Sequence, residues 1–182
     1  MLTGLSSKTA TNLQLGAGVI LKTKYVSGGT ISSENILSAT NGGITFTAQP
    51  TFFTPTVDGM RENIKGAGKQ ITGYDVTLTF TAVETEANVL LKALGCADQD
   101  GVTGVITARH TINANDYADI YAVAERGDGK LIQITVKNAI STGGLSLQTT
   151  NDGNGGIAFT ITGNYDVNDL ETPPFEIEII NK

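Results

Sequence analysis

Two stretches of this chain, Ile44-Thr45-Phe46-Thr47-Ala48 and Val76-Thr77-Leu78-Thr79-Phe80-Thr81, alternate apolar residues with threonine. A period of two places the apolar set on one face of a strand, so each reads as a strand with one face buried. They read as hairpin partners. Hairpin turns usually take two to about five residues, and far more than that intervene here. The insertion is punctuated by Pro50, Pro55, Gly59, Gly66, Gly68 and Gly73, yet it carries Phe52, Phe53, Val57, Met60 and Ile64, apolar side chains that a solvated loop does not need. The pattern predicts a protruding β-arm over residues 50–74 that covers a neighbouring molecule. Its candidate subunit-interface residues are Phe52, Phe53, Val57, Met60, Arg61, Ile64 and Lys65.

The rest of the chain fits a mainly β protein. With 182 residues, one domain is the default, and a chain of this size buries roughly 70% of its unfolded surface. The 22 glycines and abundant threonine favour turns and strands over long helices. Residues 1–12 lack a clear period and read as a possible N-terminal arm. Gly18 to Tyr25 reads as the first strand, turns follow at Ser27-Gly28-Gly29-Thr30 and Asn41-Gly42-Gly43, and Ile31 to Thr40 reads as a loose connection. One helix is predicted at about 85–94. Thr85 is placed to cap its start, Gly95 to close it, and Ala87, Leu90, Leu91 and Leu94 to form its packing stripe. Val102 to Arg109 and Tyr117 to Arg126 read as strands, the latter turning at Gly127-Asp128-Gly129 into Leu131 to Val136. Leu145 to Gln148 and Ile157 to Tyr165 flank a glycine-rich connection, and residues 167–182 hold a last strand, Phe175 to Ile180, with its acidic face outward. About nine strands and one helix result. The expected fold is an antiparallel β-sandwich or partly closed barrel with a flanking helix.

Chemical motifs give little. Gly66-Ala67-Gly68-Lys69 lacks the first glycine and the final Ser or Thr of a phosphate loop, and Gly16-Ala17-Gly18 opens a strand and lacks a third glycine. Asp98-Gln99-Asp100-Gly101 has Val102 where a Ca²⁺ loop needs a ligand, so an acidic turn is expected. Arg126-Gly127-Asp128 is explained by its hairpin. Cys96 is single and reads as a small buried hydrophobe after the helix. His110 has no nucleophile elbow or cysteine beside it, and the near-sequence carboxylates Glu84 with Glu86 and Asp116 with Asp119 belong to a helix start and a strand entry. No metal, cofactor or catalytic residue is expected. The net charge of −6 with scattered basic residues argues against tight nucleic-acid binding. No apolar run approaches the length of a membrane span, and the start of the chain lacks a signal-peptide pattern, so synthesis and retention in a cytoplasm is the expectation.

Several stretches together resemble one family. They are Leu13 to Lys22, Gly42 to Phe52, Val57-Asp58-Gly59-Met60-Arg61 followed by Lys65-Gly66, and Gly144-Leu145-Ser146-Leu147 leading to Phe159-Thr160-Ile161-Thr162-Gly163-Asn164-Tyr165-Asp166. Their order and spacing over roughly residues 12 to 166 resemble the tail tube (major tail) proteins of long non-contractile bacteriophage tails; at Asn164 the resemblance leads one to expect a bulkier side chain. The resemblance implies a virion protein, made in the bacterial host cytoplasm, whose copies form hexameric rings stacked into a tube. DNA passes through the lumen without specific binding, and the other partners are the tape measure, tail terminator and distal tail proteins. Sheet edges that must be covered support assembly on independent physical grounds. The alternatives are a monomeric β-sandwich module that binds a carbohydrate, another ligand or a protein, and a small β-barrel enzyme.

Overall fold

The computed structural model describes residues 9, 18–56, 58–59, 68–150 and 155–182. Within them the strands are β1 (Val19–Leu21), β2 (Ile36–Ser38), β3 (Thr40–Phe53), β4 (Gln70–Ala82), β5 (Ala97–Gln99), β6 (Ile106–Ala108), β7 (Ala118–Glu125), β8 (Leu131–Ser141), β9 (Ser146–Gln148), β10 (Gly156–Gly163) and β11 (Phe175–Ile180). One α-helix, α1 (Ala87–Leu94), lies between β4 and β5. Nine strands join in a single antiparallel sheet in the order β2-β1-β7-β8-β10-β4-β3, with β11 beside β8 and β9 beside β10, while β5 and β6 pair separately. The sheet is not closed into a barrel. It doubles over into two facing layers, so that Phe46 of β3 meets Phe175 of β11 at 5.6 Å between ring centroids although the two strands are not neighbours in the sheet.

The doubling happens at β8. Its first half, Leu131 to Val136, is flanked by β7 and β11, whereas Ile140 and Ser141 pair with β10. Between the halves the register with β7 slips: Ala118 faces Ala139 and Ile120 faces Val136, so Asp119 alone stands opposite Lys137 and Asn138. This is a β-bulge, which bends a strand and steepens its twist. Asn138 adopts φ +46°, the left-handed region that asparagine tolerates better than most side chains. Its N–H donates to Asp119 Oδ1 at 3.0 Å. Its side-chain amide donates to the Asn164 carbonyl at 3.2 Å, and that of Asn164 returns a bond to the Asn138 carbonyl at 2.8 Å. The Asn164 N–H also donates to the Lys137 carbonyl at 3.1 Å. Two of these bonds use the main chain of residue 164; the one to the Asn138 carbonyl needs its side-chain amide, which an aromatic hydrocarbon ring at this position would lack.

The main core lies between the layers. Val76, Leu78, Phe80 and Ala82 of β4 and Ile157, Phe159 and Ile161 of β10 face Ile20, Ile120, Ala122 and Val136, with Val89 and Ala93 of α1 closing one end. Phe80 and Phe159 stack at 4.7 Å. A second, smaller core sits on the other side of β7 and β8, where the segment 22–31 crosses the sheet and packs Tyr25 and Ile31 on Leu21, Val123 and Leu131. Tyr25 N–H donates to the buried Gln133 side chain at 2.8 Å, which ties this crossing down.

Several expectations are corrected. The first strand ends at Leu21 because the next residues form the crossing segment. Asn41-Gly42-Gly43 is not a turn between elements: it lies inside β3, where Gly42 and Gly43 at φ +80° and +88° form a bulge against β4. The segment from Ile31 to Thr40 contains a 3₁₀ turn (Ser33–Asn35) and β2. Glu86, not Thr85, is the N-cap of α1, without a side-chain capping bond, and the fully buried helix residues are Val89 and Ala93 rather than the predicted stripe. Gly95 closes the helix at φ +77° as expected. Cys96 is half-buried, its Sγ donating to the Arg109 carbonyl. The predicted strand from Val102 shortens to β6 and pairs with β5 in a flap.

Arg109 fastens that flap, bridging Asp98 at 2.8 Å and Asp116. The Asn113 N–H and the Arg109 guanidinium hold the Asp116 carboxyl below the usual carboxylate range. A carboxyl depressed in the folded state contributes stability above its unfolded pKa of about 3.9 and loses it as pH falls through the lower folded value. Acidification below about pH 4 is therefore expected to loosen the flap, read as chemical-shift changes over residues 97–116, and Asp116→Asn should flatten that titration. At the corner of β8, Asn138→Ala is expected to cost about 1–3 kcal/mol in chemical denaturation, and Asn138→Gly less, because glycine removes the strain while losing the same side-chain bond.

Candidate functional site

The β3–β4 hairpin is the arm the sequence predicts. Its ladder runs from Thr40 opposite Ala82 to Phe53 opposite Gln70, with a second bulge, between Thr51 and Phe52, beyond the one at Gly42-Gly43. Directly opposed residues share a face. One face carries Ile44, Phe46 and Ala48, packed against the core beside Val76, Leu78 and Phe80. That stripe continues outward through Pro50 and Tyr74 to Phe52 and Ile71. Tyr74 is the last of these with a cover, meeting the Phe175 ring at 5.5 Å edge-on. Beyond it, Phe52 and Ile71 are 51% and 54% exposed. The core face of the sheet thus extends past the layer that covers it. Lys69 holds its ammonium 5.7 Å from the Phe52 ring centroid. Phe53 follows Phe52 and so faces the other way, 54% exposed.

The opposite face of the same strands is hydroxyl-bearing. Thr45 opposes Thr79, which opposes Thr160; Thr47 opposes Thr77, which opposes Thr162. Thr162 is hydrogen-bonded to Thr142 at 2.8 Å between Oγ1 atoms. Gln49 and Asp75 extend the face toward the arm, and no Lys or Arg stands among these paired positions.

Tyr165 fixes the base of the arm. Its hydroxyl accepts the Tyr74 N–H at 2.8 Å, linking the chain beyond β10 to the point where the hairpin leaves the body. The outer edge of β3 is unpaired among the described residues, and no charged residue lies between Thr40 and Phe53. Of the candidate interface residues, Phe52 and Phe53 are on this arm and exposed, while Val57, Met60, Arg61, Ile64 and Lys65 lie outside the described residues. The sequence reading missed Ile71 and Tyr165. Ile71 breaks the threonine alternation, so only its register opposite Phe52 reveals its face.

The residues considered for chemistry have structural partners. Asp100 Oδ1 accepts the N–H groups of Val102 and Thr103 at 2.7 and 2.9 Å, an acidic turn as expected. Asp128 faces Arg126 and accepts the Lys130 N–H within the β7–β8 hairpin. Glu84 accepts the Ala39 N–H, Asp116 caps a 3₁₀ turn through Asn113, and Asp119 serves the corner. His110 is exposed beside the flap. The described residues contain no group of His, Cys, Asp and Glu able to hold a metal ion and no helix long and apolar enough to cross a membrane. No protein-family model matches the chain, and no curated protein sequence matches it.

Replacing Tyr165 by Phe removes the bond at the arm's base. The expected cost is about 0.5–1.5 kcal/mol of global stability, with faster amide exchange at Tyr74 and along the outer ladder while the exchange of β10 amides is unchanged.

Proposed function

We propose that this chain is a structural subunit that assembles with copies of itself into rings stacked as a phage tail tube, a conduit for DNA, with no catalysis and no cofactor. The observation that carries the reading is the arm's apolar face, which leaves the body uncovered at Phe52 and Ile71. Side chains of that kind are stable in water only at a cost of roughly 25 cal/mol per Å² of apolar surface, which a neighbour removes by covering them. The long uncharged edge of β3 supports the same reading, since such edges invite pairing unless another copy occupies them. Head-to-tail contacts of this kind close into rings when the rotation permits. Hexamers, the tape measure, terminator and distal tail partners, and a place in the virion follow from the family resemblance.

The threonine face suits the lumen. A wall of hydroxyls without cations offers phosphates no counter-charge, so DNA slides past it. Thr79→Lys should leave tubes intact and slow DNA passage, measured as ejection rate from particles carrying the variant.

Electron microscopy of the purified protein, beside light-scattering mass over a concentration series, tests the assembly reading. Rings or hollow tubes are expected, and deletion of residues 51–72 should abolish stacking while the circular dichroism of the body persists. A strict monomer whose behaviour is indifferent to that deletion would instead mark a monomeric binding module.

A further inference from the structure

The two layers of the sandwich part on the side of β3. There Ile44 and Phe46 face Ala122, Ala124, Ile132 and Ile134 across an open groove of about 280 Å³. Ile177 and Ile179 of β11 oppose Ile134 and Ile132, so they share this face, yet they are 52% and 57% exposed. The alternation of β11 explains half of this: Glu176 and Glu178 point outward to Lys24 and Lys137, which leaves its isoleucines pointing into the mouth. The ring contact between the layers on this side is made by Phe175 with Phe46 and Tyr74. A core face of the β8–β11 layer is therefore bare at one place on the molecule, and a core face of the β3–β4 layer is bare at another.

We infer that the groove is the receptor for the arm of a second copy, which lays Phe52 and Ile71 against Ile132, Ile134, Ile177 and Ile179. This rests on the assembly reading above and adds to it the surface on which the arm docks. The fit is one of kind. Phe52 and Ile71 continue the same stripe whose inner members, Ile44 and Phe46, already line this groove within their own chain. The docked arm would thus repeat, between copies, the layer-on-layer packing that each copy makes internally. Size agrees: a cavity of about 150 Å³ holds one benzene ring, so 280 Å³ accommodates an aromatic ring with an aliphatic neighbour. Charge agrees as well. Residues 51–72 carry three basic and two acidic residues, while the remainder of the chain carries nine basic and sixteen acidic, so a cationic arm approaches an anionic body.

The contact is heterologous, because arm and groove are different surfaces of one chain. It therefore propagates from copy to copy instead of ending at a dimer. A hairpin tip covers less than the roughly 1,000 Å² that a stable isolated interface needs, so the contact holds where many copies repeat it.

Disulfide trapping tests this directly. Two preparations of the full chain, distinguishable by mass and both carrying Cys96→Ala, receive Phe52→Cys in one and Ile177→Cys in the other. Mixed and oxidised, they should give the mixed disulfide about tenfold above a control pair in which Leu147→Cys, exposed on β9, replaces Ile177→Cys. In parallel, Ile177→Asp should raise the concentration for half-assembly about tenfold with unchanged circular dichroism, and Leu147→Asp should not. A mixed disulfide no more abundant than the control overturns the inference. Tubes that form without the Phe52–Ile177 disulfide overturn the receptor and leave the tube reading intact. The disulfide without any tube overturns the tube reading and leaves the receptor.

Discussion

The two-layered shape depends on one bend. Had β8 run straight, β10 and β11 would compete for the same edge along its whole length, and the sheet would stay open. The bulge opposite Asp119 divides that edge into two directions, giving Leu131 to Val136 to β11 and Ile140 to Ser141 to β10. Asn138 makes the bend possible by accepting a positive φ, and its bond exchange with Asn164 keeps the two directions from closing up again. Everything in the core is downstream of this, since Val136 and Ala139 on either side of the bend both face the Phe80–Phe159 stack's cluster.

The arm and the groove are two expressions of layers that do not match in outline. Over the inner half of β4 and over β10 the match is complete, and their inward-facing residues, Val76 to Ala82 and Ile157 to Ile161 in alternation, are almost wholly buried. Away from that centre the β3–β4 layer projects in one direction and the β8–β11 layer is left uncovered in another. Natural proteins usually trim such apolar margins or charge them. Here β11 is charged on its outer face only, through Glu176 and Glu178, while β3 carries no charge on either face. The margins are thus apolar where another molecule would touch them and polar where water does.

Much of this was legible in the sequence. The alternation of threonine with apolar residues gave β3 and β4, their pairing and their buried face, because a half-buried strand leaves its period in the chain. The Gly127-Asp128-Gly129 turn and the closing strand at Phe175 were legible for the same reason. The edges of the picture were not. The stripe of α1 is legible only in part, because short helices obey tertiary contact more than their own pattern: Leu90 of the stripe packs against the core, but the buried residues are Val89 and Ala93. The bend at Asn138 carries no local signal, since its partners Asp119 and Asn164 are distant in sequence. The exposed Phe52 and Phe53 are legible in the sequence, but the groove lined by Ile44, Ala122 and Ile134 arises from three separate strands and exists only once they are brought together.

Pro50 gives β3 a division of labour. The N–H of Tyr74, its opposite residue, is spent on Tyr165, so this pair does not exchange bonds across the ladder, and the nitrogen of Pro50 faces the edge that no described strand pairs. By the same alternation the N–H groups of Ile44, Phe46 and Ala48 also point outward. A strand added to this edge would find three successive donors and then a nitrogen with no hydrogen. The proline acts as a punctuation mark along the backbone: up to Ala48 the strand can be lengthened sideways through its main chain, and past it the hairpin can speak only through its side chains. One continuous element thereby offers two vocabularies of contact, and the boundary between them is a single residue.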